Sequence, residues 1–191
     1  MELIVIARRK EEGQLVADSR LREPVPFGKS SQPVSRYRMS SSFTTATSPY
    51  RILNDFGECQ YLFDVSALET RGTLAICTAN DDPLFKIHLR GARVASVIEI
   101  EDSFGREAAV VQKTSVSPLR DEFVIRSRQH APLSISGNIL DHEYRIGQIA
   151  LVSKQWFHAT ESYGLQVKRG NNDALLLAAL ACIDEMTVDV R

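Results

Sequence analysis

Three cysteines in 191 residues are too few for a disulfide framework, and such sparse use points to a reducing compartment. Charge of one sign is also missing. Against 23 Lys and Arg stand 24 Asp and Glu, a net charge of −1 that excludes a strongly basic nucleic-acid binder. Long apolar runs are absent too. Leu3 to Ala7 is too short for a signal-peptide core. The strongest run, Ala174 to Ile183, is half of the roughly 20 residues that a membrane-spanning helix needs. The sequence therefore predicts a cytoplasmic protein, at most peripheral to a membrane. What is present is ordinary for a globular chain: 43% hydrophobic and 25% charged residues, in a length that fits one medium domain with or without a tail.

Recognisable chemistry is missing as well. No Gly-x-Gly-x-x-Gly, phosphate-binding loop, Gly-x-Ser-x-Gly elbow or His-Glu-x-x-His occurs. His88, His130, His142 and His158 are scattered without metal-ligand spacing, and Cys59, Cys77 and Cys182 form no Cys-x-x-Cys pair. Cys59 adjoins Glu58, whose charge opposes thiolate formation, and Cys182 lies in the apolar C-terminal run as an inert hydrophobe. His142-Glu143 is the one adjacent acid–base pair. The sequence thus assigns no catalytic, cofactor or metal residue, and predicts a non-enzyme.

Composition shifts along the chain. Residues 1–38 carry a balance of +3 and the remainder −4. The first segment holds Pro24, Pro26, Gly28 and Pro33 and reads as a basic extension over 1–36, with Leu3–Ile6 as a possible edge strand. From Tyr37 on, short β-branched and aromatic runs alternate with turn residues. They are Arg51–Leu53, Tyr61–Val65, Thr73–Thr78, Leu84–Leu89, Val94–Ile100, Ala108–Gln112, Phe123–Ser127, Leu133–Ser136, Ile149–Ser153 and Tyr163–Lys168. Asn54-Asp55-Phe56-Gly57 and Asp102-Ser103-Phe104-Gly105 each place glycine where a hairpin loop needs positive φ. Their likeness, together with that of Gly91–Val97 to Gly147–Val152, fits either two copies of a hairpin unit or the limited vocabulary of β-hairpins.

The C-terminal segment breaks this pattern. Asp173 is placed as an N-cap, and from Ala174 the run is apolar at every position, the mark of a helix buried all round. A helix over about 173–186 would be roughly 21 Å long, the height of a barrel built from six- or seven-residue strands. The predicted architecture is one helix, with Leu176, Leu177, Leu180 and Ile183 buried, wrapped in a closed sheet.

An ordered series of motifs carries a family resemblance. Tyr37-Arg38-Met39 precedes Tyr50-Arg51-Ile52-x-Asn54-Asp55-x-Gly57 and Tyr61-Leu62-Phe63-Asp64-Val65. Ile149-Ala150-x-Val152-Ser153-Lys154-x-Trp156-Phe157, Tyr163-Gly164-Leu165-Gln166-Val167 and Asp173–Ala178 with Ile183-Asp184 complete it. In these residues the chain resembles the LURP-one-related family of the tubby-like superfamily, which includes phospholipid scramblases. The resemblance implies a mainly β (α+β) fold over 37–191: a twelve-stranded β-barrel closed around a buried C-terminal hydrophobic helix. Tyr37–Thr45 and Glu143–Ile146 would supply the strands missing from the count. It also implies phospholipid head groups or a membrane surface as partners, since better-known superfamily members bind phosphoinositides or are associated with lipid movement. The chain departs from the scramblases in lacking an extended proline-rich N-terminal region and a palmitoylatable cysteine cluster.

For an anionic ligand the candidates are Arg126 and Arg128, two apart on one strand face, with Lys154, Lys168 and Arg169 near strand ends. Trp156-Phe157 reads either as an exposed aromatic tip or as a plug of the barrel end. The alternatives to head-group binding are a protein-interaction or regulatory module acting through the extension 1–36, or a scramblase-like lipid-associated protein. Nucleic acid is not expected, and no oligomeric state follows.

Overall fold

The computed structural model describes residues 33–40, 49–89, 96–117, 120–128, 130–156 and 162–187. The expected Leu3–Ile6 strand, His158 and Phe157 fall outside them. Along the chain come β1 (Val34–Ser40), β2 (Tyr50–Asn54), β3 (Cys59–Asp64), a single helical turn α1 (Leu68–Arg71), β4 (Thr73–Thr78) and β5 (Pro83–His88). There follow β6 (Val97–Asp102), β7 (Glu107–Ser117), β8 (Arg120–Ser127), β9 (Leu133–Asn138), β10 (Glu143–Ile146), β11 (Ala150–Ser153), β12 (Ser162–Lys168) and the helix α2 (Asp173–Thr187). Every strand pairs with its sequence neighbour in antiparallel fashion, and β12 returns to β1, from Val34↔Lys168 to Ser40↔Ser162, to close the barrel. The twelve strands fall where the alternation and the family resemblance put them, within five residues, and the expected strand parts at 41–45 and 94–95 lie outside the described residues. The α1 turn was not expected: four residues are too few to show helical periodicity, and Gly72 ends it at φ 66°.

Alternation along the strands fills the barrel. Leu74 and Ile76, Phe85 and Ile87, and Ile98 and Ile100 point inward and are buried, while their neighbours Lys86, Val97 and Glu99 are exposed. Within this wall α2 is buried from Ala174 to Asp184, so it has no polar face and needs none. Its cap differs by one residue from expectation. Asn172 Oδ1 accepts the Leu175 N–H at 3.0 Å and is the N-cap, whereas the Asp173 carboxyl accepts the Tyr37 hydroxyl at 2.5 Å. Asp173 ties the helix to β1 instead of capping it.

Because α2 starts beside the end of β12, the barrel has an Asn172 end and, opposite, a His142 end. The β2–β3, β4–β5 and β6–β7 hairpins turn at the Asn172 end, and they are three copies of one device. Asn54 Oδ1 accepts the N–H groups of Phe56 (2.9 Å) and Glu58 (3.0 Å), and Asp102 Oδ1 those of Phe104 (2.9 Å) and Arg106 (3.0 Å). Thr78 Oγ1 does the same for Asn80 and Asp82, both at 3.2 Å. In each, the fourth residue is left-handed: Gly57 at φ 77°, Asp81 at φ 70° and Gly105 at φ 74°. A register shift follows Ile52, Ile76 and Ile100 in turn, all fully buried. The three turns recur every 24 residues, so the likeness of the two phenylalanine turns extends to Thr78–Asp82 between them, whereas residues 91–95 of the other expected likeness lie outside the described residues.

The middle copy has a side chain where its companions have glycine. Asp81→Gly is expected to stabilise the protein by up to about 1 kcal/mol, and Gly105→Ala to destabilise it by about 1–2 kcal/mol. Chemical denaturation would measure both, and effects of the same sign would contradict the equivalence of the turns.

Candidate functional site

At the Asn172 end the repeated turn holds two aromatic rings out in solvent. Phe56 is 87% exposed and Phe104 80%, at the same position of turns β2–β3 and β6–β7. Four strand steps separate these turns in a twelve-strand wall, one third of the way round. Both are clipped across their base. Asn54 Nδ2 donates to Glu58 Oε2 at 2.9 Å, and Arg106 Nε donates to Asp102 Oδ2 at 2.8 Å. The Arg106 backbone N–H and guanidinium hold the Asp102 carboxyl below its usual range. The same guanidinium carbon lies 5.0 Å from the centre of the Phe104 ring, a cation–π arrangement. The turn between the two tips bears Asn80, Asp81 and Asp82, all exposed.

The remaining connections at this end carry cations. Arg126 is exposed on the outer face of β8 and donates to Gln112 Oε1. Arg128 is exposed just past β8, and Lys168 and Arg169 end β12, with the Arg169 N–H bonded to Pro33 O at 3.0 Å. β8 and β12 run in the same direction, four steps apart, so their C-terminal ends share a rim. Between them lies the short Gly147–Ile149 turn, which has no charged residue. Lys154 is not part of this group. It follows β11, which is antiparallel to β12, and so sits exposed at the His142 end. The structure brings Arg128, Lys168 and Arg169 to one end, leaves Lys154 at the other, and holds Arg126 on the wall, where its acceptor Gln112 stands two residues farther from the rim.

Trp156 is neither an exposed tip nor a barrel plug. It is half-buried outside the barrel, its ring centre 5.9 Å from the Arg36 guanidinium carbon, while Arg36 also reaches Asp55 at 3.6 Å.

The His142 end holds a buried polar cluster. His142, at φ 54°, is 3% exposed and stacks on Tyr163 with ring centres 4.2 Å apart. Its Nε2 lies 3.3 Å from Asp184 Oδ1, and the Tyr163 hydroxyl donates to Asp184 Oδ2. Burial, then the Asp184 charge, pushes the phenols of Tyr163 and Tyr144 well above their ordinary range, so both stay protonated. His142 Nδ1 and the Tyr144 hydroxyl are buried without a hydrogen-bond partner. His142 is thus paired with Asp184 on the helix, not with its neighbour Glu143, which instead accepts from Ser153 Oγ at 2.9 Å and the Lys154 N–H at 2.7 Å. Closed against solvent, this cluster holds the C-terminal part of α2 in the wall. Burial also pushes the Cys77 thiol up to about 11 and Cys182 higher still, leaving both as packing groups. No helix among the described residues is long and apolar enough to cross a membrane.

Sequence reading alone singles out neither phenylalanine tip nor the Asp184 pairing. The 24-residue period would have marked Phe56 and Phe104 as equivalent tips. Asp184 follows the apolar run beside Glu185, and nothing in the sequence separates the buried acid from its half-buried neighbour.

A closed, up-and-down antiparallel barrel threaded by one apolar helix is a tubby-like fold. A solved structure of an Arabidopsis thaliana protein shares it, with a TM-score of 0.54 at 9% identity, covering 83% of this chain and 92% of that one. The LURP-one-related family model matches residues 37–184, and the chain belongs to that family. No curated protein gives a significant match.

Proposed function

We propose that this is a non-catalytic protein that binds phospholipid head groups at a membrane surface, through the basic half of its Asn172 end. The observation that carries the reading is the sharing of one rim by Arg128, Lys168 and Arg169 around the uncharged Gly147–Ile149 turn, with Arg126 on the wall of β8. Arg128 and Arg169 follow strands separated by four strand spacings, about 19 Å along the wall. An anionic head-group surface spanning them would meet charge on both sides of the uncharged Gly147–Ile149 turn. Each such cation near an anionic surface contributes about 1 kcal/mol, screened by salt. The domain's overall negative balance makes a local patch necessary, since the whole molecule is not drawn to an anionic surface.

Flotation with phosphatidylcholine vesicles, with and without phosphatidylserine or a phosphoinositide, tests it. Binding is expected only or mainly with the anionic lipid. Arg128→Ala with Arg169→Ala should weaken it by more than about tenfold, whereas Lys154→Ala should leave it unchanged. All three residues are exposed, so folding is not at stake. Equal absence of binding to every vesicle would overturn the proposal.

A further inference from the structure

We infer that the whole Asn172 end lies flat on the bilayer, with Phe56 and Phe104 inserted as two fixed anchors in the interfacial zone of the lipid. This rests on the membrane-surface reading above and adds the orientation of the barrel and a second, apolar mode of contact.

Four features support it. Single exposed apolar residues are common, but these two occupy the same position of the same turn at the same end. Each turn is rigid: one side-chain oxygen takes two backbone N–H groups, a left-handed glycine closes the loop, and a side-chain clip spans its base. An anchor held this way loses little freedom on insertion. Arg106 lies on the Phe104 ring, which places a cation at head-group depth beside an aromatic, as interfacial side chains are placed. Finally, the tips lie four strand spacings apart, about 19 Å along the wall, with the polar turn of Asn80 and Asp81 between them. A protein interface would want one contiguous apolar core. A fluid bilayer takes each tip separately.

Charge explains why anchors are needed there. The half of the rim that carries the tips also carries Asp55, Glu58, Asp81 and Asp82, and its Arg106 is paired with Asp102, while Arg128, Lys168 and Arg169 occupy the other half. On an anionic surface electrostatics alone would tilt the barrel, basic side down and acidic side lifted. Apolar insertion at Phe56 and Phe104 holds the lifted side down, and unlike the cationic contact it survives salt.

The chain has a single tryptophan, so Trp156→Phe gives a silent background. In it, Phe56→Trp and Phe104→Trp report depth through quenching by phosphatidylcholine brominated on its acyl chains, in vesicles that also contain phosphatidylserine. Quenching of both reporters while the protein is bound is the expected result. Alongside it, Phe56→Ser with Phe104→Ser in the native chain should weaken binding by about tenfold or more, and the remainder should vanish at high salt. Bound protein without quenching, or Phe→Ser variants that bind like the parent, would overturn the insertion and leave head-group binding intact. Loss of all binding in the parent would overturn both.

Discussion

Leu177→Asp should yield no folded, soluble protein. Leu177 is fully buried midway along α2, whose Ala174–Asp184 stretch has no solvent face. A side chain there cannot rotate out to water, as it could on a surface helix. A carboxylate in that position is a buried unpaired charge, and even after relaxation its penalty is several kcal/mol. The lost leucine packing adds about 2–5 kcal/mol. Together these approach or exceed the 5–15 kcal/mol that holds an ordinary domain. Leu177→Met, which keeps the volume, should cost less than about 1.5 kcal/mol, and Leu177→Ala should fall between. Thermal unfolding followed by circular dichroism would rank them. A cooperative transition for Leu177→Asp at the parent temperature would mean that α2 is not enclosed.

Most of the fold was legible in the sequence because its two signals are local. Period-two alternation marks a half-buried strand, and an apolar run without a polar stripe marks a helix enclosed on every side. The threefold repeat was only half visible. Its conserved element is a geometry, a side-chain oxygen taking two N–H groups, and Asn54, Thr78 and Asp102 supply that oxygen with three residue types. Only the copies that also share Phe-Gly resemble each other as text.

The candidate cations show the other limit. Spacing along one strand tells which residues share a face, but not which end of a barrel a loop occupies. That depends on counting strands: β8 and β12 differ by an even number and end together, while β11 and β12 differ by one and end apart. The rule was available, and it separates Lys154 from Lys168 as soon as the sheet is known to be up-and-down. No such rule finds the His142 to Asp184 contact, 3.3 Å across 42 residues of chain. It requires α2 to be long enough to reach the β9–β10 turn, and it requires that turn to fold back over the barrel mouth. Gly137 permits the tight pairing behind it, since a Cβ there would come within 2.5 Å of the Glu143 carbonyl oxygen.

Removing that carboxyl should produce the largest loss of stability short of preventing folding. In Asp184→Ala the Tyr163 hydroxyl loses its acceptor and His142 Nε2 its partner, in a place where neither reaches water. Breaking a buried polar pair from one side costs about 3–5 kcal/mol, because the groups left behind keep their desolvation penalty. In a domain of this size each kcal/mol lowers Tm by roughly 2–4 °C, so a fall of about 6–20 °C is expected. Asp184→Asn keeps an acceptor for Tyr163 and should lose less. The decisive comparison is Tyr163→Phe added to Asp184→Ala. It deletes the stranded hydroxyl while keeping the ring that stacks on His142, so the double variant should recover part of the loss. If the two substitutions instead add, or if Asp184→Ala melts within about 2 °C of the parent, the cluster does not hold the helix to the wall. The end of the barrel bearing Phe56, Phe104 and the cations should be unaffected either way, because it lies at the opposite mouth and is anchored through its own contacts of Asn172 and of Asp173 with Tyr37. Vesicle binding of Asp184→Ala below its melting temperature should therefore match the parent, which separates the element that holds the helix in place from the surface that meets the lipid.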